Sequence, residues 1–211
     1  MSDRTKVHRS PHKQNFDPQL AQSIIDRAII AHVGITVDGQ TYVLPVACAP
    51  FKGELLLHGS NASRMFKALM DGASACITIT HLKGLVLARS SFESSMHYES
   101  LMALGKGRTL EADEKLAALD ALTDHLFPGR RKELRKSLTQ EVLATSIVAF
   151  PLNEISVKIS DGDPVDNEMD ADADVWAGVL PMKIIYTTPV AAQNLKPGIP
   201  IPDYIATWIP G

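Results

Sequence analysis

Apolar residues change their spacing near residue 32, and that change separates a short helical start from a long run of strands. Leu20, Ile24, Ile25, Ala28 and Ile29 recur at helical intervals. Asp17-Pro18 supplies an N-cap followed by proline at the first helical position, where a missing N–H costs nothing. The pattern predicts an amphipathic helix over 18–31. Beyond it, 33–37 and 41–49 are β-type runs joined by the hairpin signal Asp38-Gly39, and a turn at 50–53 leads into a third run, 54–58.

The turn Gly59-Ser60-Asn61-Ala62 precedes a helical segment over 63–70 that stops at Gly72. Strands are then predicted at 75–80 and 85–90 with a turn at Lys83-Gly84, and a longer one at 98–110. Leu116, Ala117, Leu119, Leu122 and Leu126 give a helix that Asp113 opens and Pro128-Gly129 ends. Runs at 146–150 and 154–159, an acidic loop at 161–174, a last strand at 179–187 and a proline-rich tail from Pro197 complete the chain. About eight strands, with no alternation of helix and strand and no internal repeat, predict an α+β fold, mainly an antiparallel β-barrel with a few short flanking helices. Residues 1–16 read as a flexible arm, and 17–211 as a single domain with no linker.

Composition narrows the function classes. The 211 residues are 45% apolar and 21% charged with a formal net charge of −3, an ordinary globular balance that argues against binding nucleic acid by bulk electrostatics. The one basic run, Arg130, Arg131, Lys132, Arg135 and Lys136, reads as a solvated helix face. Cys48 and Cys76 lie in apolar runs without a CxxC, so they read as buried free thiols in a reducing compartment. With neither a signal-peptide core nor a membrane-length apolar stretch, a cytoplasmic protein is expected.

Chemistry concentrates in His58-Gly59-Ser60-Asn61-Ala62-Ser63-Arg64, where a strand ends in a turn bearing hydroxyls, an amide and a guanidinium. Such a corner suits a phosphate, because free N–H groups and a planar bidentate cation both favour an anion. It equally suits a capped surface helix with a solvated arginine. Other motifs do not hold. Gly105-Lys106-Gly107-Arg108 lacks the third glycine of a dinucleotide loop, there is no GxSxG, and the acidic loop lacks the glycine and terminal glutamate of a calcium loop. His8 and His12 flank Pro11 in a predicted coil, and no metal site is expected.

Taken in order, YVLPVACAPFKGELLLHGSNASRMFKAL, ACITIT, LVLARSSFESSMHYESLMALGKGRTLE and VWAGVLP resemble the flavin-nucleotide-binding branch of the pyridoxamine 5′-phosphate oxidase superfamily, a branch similar in turn to nitroimidazole-resistance reductases. The resemblance implies a split β-barrel that forms a homodimer with FMN where the subunits meet. It implies that Ser60, Ser63 and Arg64, with Gly59 and His58 nearby, hold the FMN phosphate, and that Val43, Leu44, Pro45 and Val46 run along the flavin ring. It places Ser91, His97 and Ser100 in a segment facing the flavin, with Lys158 and Trp176 as further pocket residues. Arg89, His97 and Tyr98 become candidates for positioning a substrate. The superfamily's substrate-binding Arg-x-His is absent and Met65 replaces a lysine after the arginine, so oxidation of pyridoxamine phosphate is not expected. Two readings follow: an FMN-dependent oxidoreductase of unknown substrate, or a flavin- or haem-binding carrier or redox sensor.

Overall fold

The capping signal at Asp17 works as the sequence dictates. In the computed structural model, which describes residues 3–208, its carboxylate accepts from the Gln19 N–H at 2.9 Å and opens helix α1 (Pro18–Asp26). The helix is shorter than the 18–31 expected, because at Arg27 the chain leaves the helix and strand β2 (Ile30–Val37) begins. Ala28 is buried, but Ile29 is half exposed. The helical and strand periods overlap on these residues, and pairing of β2 decides between them.

Asp38 and Gly39 both adopt positive φ (51° and 77°), the conformation a tight two-residue hairpin demands, and join β2 to β3 (Gln40–Phe51). Next come β4 (Glu54–Ser60), helix α2 (Arg64–Met70), β5 (Ser74–Leu87), β6 (Ser95–Lys106), β7 (Arg108–Thr109) and helix α3 (Ala112–Leu126). Helix α4 (Thr139–Ala144), β8 (Thr145–Pro151), β9 (Ile155–Ser160), β10 (Gly178–Pro181) and helix α5 (Asp203–Ala206) follow. Together with β1 (Gln14–Asn15) these strands form one sheet in the order β1-β9-β6-β5-β2-β3-β4-β8-β7, with β10 beside β5; every pair is antiparallel. The predicted mainly β, antiparallel architecture with short flanking helices is what the chain adopts.

Three further segments differ from the sequence reading. The two strands expected at 75–80 and 85–90 are one strand, since the Lys83-Gly84 signal produces a bulge against β6 and not a turn. The last strand stops at Pro181, and Ile184 and Ile185 are exposed. Residues 3–16 do not hang free: Thr5 is buried, Gln14 and Asn15 pair with β9, and Lys13 Nζ donates to Ser160 Oγ at 2.9 Å. This segment covers the otherwise open edge of β9.

The interior is filled by Ile24, Leu55, Leu57, Phe66, Ile77 and Phe150, among others. On the outer side of β4 and β8, Leu56, Ile147 and Ala149 pack with Leu110 and Ala118 under α3. Inside the acidic loop Asp166 accepts from the Arg89 backbone N–H and from Nη1, both at 2.6 Å, so Arg89 is tied into the scaffold. Among the described residues no helix is long and apolar enough to cross a membrane.

Candidate functional site

Strand β3 serves two partners in succession. Its first part, Gln40 to Ala47, pairs with β2; its last part, Cys48 to Phe51, pairs with β4. Among the described residues no other strand pairs with Tyr42 to Ala47 on the side facing away from β2, so their backbone groups form an open edge. Val43 and Leu44 are exposed (61% and 42%), Pro45 is exposed, and Val46 points into the core. Proline fits here because it has no N–H to contribute to a ladder.

At one end of this edge stands the corner from β4 to α2. Gly59 is required by packing: a Cβ there would lie 2.1 Å from the Phe66 ring of α2. Ser60 Oγ accepts from the Ala62 N–H, which tightens the turn. Asn61 locks the corner from outside, donating to the Leu143 carbonyl at 2.7 Å and accepting from Ser146 Oγ at 2.5 Å. Ser63 is the N-cap residue of α2, yet its hydroxyl makes no capping bond. Arg64 is exposed and donates from Nη1 to the Tyr42 hydroxyl at 2.7 Å. Its guanidinium carbon lies 5.0 Å from the centre of the Tyr42 ring. The corner therefore offers one oriented guanidinium and two hydroxyls beside an unpaired strand edge, an arrangement that can hold an anion and a flat polar ring at once.

Not every residue expected at the site lies there. His58 points away from the corner into a cavity of about 420 Å³, whose lining includes neither Ser60, Ser63 nor Arg64. Ser100 and Lys158 face each other on β6 and β9, with Ser100 Oγ donating to the Lys158 carbonyl at 3.5 Å. Ser100 stands three strand spacings from β3, roughly 14 Å, and Lys158 four, roughly 19 Å. Ser91 lies in the turn before β6, His97 pairs with Gly84, and Trp176 is 69% exposed beside Gly178. Within one chain these residues do not meet Arg64. Sequence reading missed Tyr42, whose role depends on strand curvature. It also missed the His58 cavity, which four separate segments build.

A family-level comparison matches residues 17–159 to the description pyridoxamine 5′-phosphate oxidase. Among solved structures, the chain resembles the FAD and heme binding protein from Mycobacterium smegmatis (TM-score 0.90, 36% identity, covering 93% of this chain and 97% of that one). It also resembles the flavocytochrome Anf3 from Azotobacter vinelandii (TM-score 0.92, 32% identity, 100% and 98% covered). A protein from Bacteroides thetaiotaomicron described as a 5-nitroimidazole antibiotic resistance protein is similar over a smaller part (TM-score 0.59, 28% identity, 69% and 86% covered). None of the curated proteins compared with the chain matches it. A barrel whose strand β3 parts from its neighbour to leave an edge open, matched along residues 17–159, places this chain in the pyridoxamine 5′-phosphate oxidase family.

Proposed function

We propose that this chain is a flavin-binding redox protein that holds the flavin ring along Tyr42–Ala47 and the adjoining phosphate at Ser60, Ser63 and Arg64. The observation that carries this reading is the coincidence of an unpaired strand edge with an exposed, oriented guanidinium at its end. A flavin ring presents alternating acceptors and donors along one side, and backbone N–H and C=O groups of an open strand complement them without any charged side chain. Exposed Val43 and Leu44 give the ring an apolar surface. When bound, the flavin supplies hydride or single-electron transfer. The chain's own part is to bind, orient and desolvate it.

The phosphate corner recognises a group that FMN and FAD share. The resemblance points to FMN, whereas the mycobacterial relative is described as binding FAD. Mass identification of the ligand released from purified protein separates the two. To test for turnover, the protein is reduced under nitrogen with NADH or NADPH and offered a nitroaromatic or quinone. Re-oxidation faster than that of the free flavin supports an oxidoreductase; equal rates leave a carrier or sensor. A colourless protein that takes up neither nucleotide overturns the reading.

The same reading calls for a homodimer. Ser91, His97, Ser100, Lys158 and Trp176 reach the flavin only from a second copy. The outer face of β2, β3 and β5 supports this, with a shallow cleft of about 590 Å³ whose lining includes the small residues Gly34, Thr36, Thr41, Ser74, Cys76 and Thr78, beside Arg4, His32 and Lys106. Light scattering then gives twice the 22.9 kDa chain mass.

Haem enters as a second bound group because a cavity separate from the phosphate corner carries a half-buried imidazole. The mycobacterial relative is described as binding heme beside FAD, and the Azotobacter relative as a flavocytochrome.

A further inference from the structure

We infer that the cavity between β4, α3 and α4 is a haem pocket in which His58 supplies the axial nitrogen. The inference rests on the haem reading above and adds the site and the ligand. The cavity measures about 420 Å³ and its lining includes Ala47, where the free edge of β3 ends. Its apolar lining is Leu119, Leu122, Leu126 and Phe127 of α3 and the turn after it, with Val142 of α4; Asp120, Thr123, Ser137, Glu141 and Thr145 complete it. A porphyrin face needs such walls, and an open cleft of this size encloses part of the ring while leaving its carboxylate side in water.

His58 is suited to metal in a way the neighbouring histidines are not. The rings of His81 and His125 are engaged by the backbone carbonyls of Ile24 and Ala28, at 2.9 and 2.7 Å. The His58 ring has no hydrogen-bond partner among the described residues, although it is half-buried. The cavity lining contains no second histidine and no methionine or cysteine, so His58 would be the one lining side chain of these types to hold the iron.

The rim suits an acidic porphyrin edge. Two lining carboxylates, Asp120 and Glu141, are already neutralised by Arg131 and Arg135. Lys136, next to the lining residue Ser137, adds a further cation. The basic run that the sequence offered without a role thus borders this cavity.

The test uses the full-length chain titrated with hemin, following the Soret band, with flavin absorbance read in the same sample. Wild-type protein is expected to saturate at one hemin per chain with a sharpened Soret band. His58→Ala is expected to bind hemin about tenfold or more weaker, with a broad band like that of free hemin. His58→Gly supplied with free imidazole is expected to regain the wild-type spectrum, which a merely structural role for His58 would not produce. Failure of the wild type to take up hemin stoichiometrically overturns the haem reading itself. Unchanged hemin binding in His58→Ala, or no rescue by imidazole, overturns the assignment of His58.

Discussion

Arg64 donates to the hydroxyl of Tyr42 at 2.7 Å while its guanidinium lies over the same ring, so a residue of β3 fixes the direction of the cation at the start of α2. One hydrogen bond leaves the remaining guanidinium N–H groups for an anion. Arg64→Ala is expected to weaken flavin binding by about 1.5–3 kcal/mol, the range for hydrogen bonds to a charged group. Tyr42→Phe keeps the ring and loses only the orienting bond, and is expected to cost about 0.5–1.5 kcal/mol. Fluorescence titration with FMN and FAD measures both. Equal affinity in Arg64→Ala and parent rules out Arg64 as the phosphate ligand.

Packing of the corner gives a stability prediction. A methyl group at position 59 would meet the buried Phe66 ring at 2.1 Å, and Phe66 is only 2% exposed, so the ring has nowhere to move without shifting α2. Gly59→Ala is expected to destabilise the fold by about 1–3 kcal/mol through overpacking. Denaturant unfolding tests it, and the double variant Gly59→Ala/Phe66→Leu should recover part of the loss.

Acid sensitivity centres on Glu99. Its carboxylate is buried between Lys83 and Arg27, at 2.7 and 2.5 Å. Burial alone would raise its pKa, but bonds to the two cations outweigh that and hold it below the ordinary value of 4.5. A depressed carboxylate pKa contributes stability that is complete above about 4.5 and is lost as pH falls through the folded value. Both cations are about half exposed (46% and 53%), so screening reduces the effect. Glu99→Gln is expected to cost about 1–2 kcal/mol at pH 7 and to flatten the fall in melting temperature between pH 5 and pH 3. A parallel fall in variant and parent would remove Glu99 from the account.

The two cysteines report on different surfaces. Cys48 is fully buried and burial pushes its thiol up to about 12, so it is expected to resist thiol reagents until the protein unfolds. Cys76 is half-buried in the shallow cleft of the outer sheet face and should label first. If two copies meet across that face, labelling of Cys76 slows as protein concentration rises. A rate independent of concentration, with a monomeric mass, contradicts the dimer.

Much of the scaffold was legible because its signals are local. Asp17-Pro18 and Asp38-Gly39 each encode a cap or turn within two residues, and the structure uses both as written. Lys83-Gly84 carries an equally strong turn signal, but pairing on both sides of β5 absorbs it as a bulge. Helix α4 escaped notice because it is six residues long, with a local cap in which Glu141 accepts from the Leu138 N–H at 2.8 Å and a tertiary link in the Asn61 bond to Leu143. The serines and arginine of the corner could be picked out because they are adjacent in sequence. The divergence of His58 from them could not: it shares the strand face of Leu56, and what covers that face depends on helices some 60 to 85 residues away.

The open stretch of β3 carries a hazard as well as a use. A bare row of amides and carbonyls invites any passing extended segment to zip alongside it, and Pro45 interrupts that row at its middle. Whatever molecule lies there also shields the chain from its neighbours. Filling the gap with an amide donor, as in Pro45→Val, would turn a docking ledge into a nucleus for aggregation, most of all when the ledge is empty.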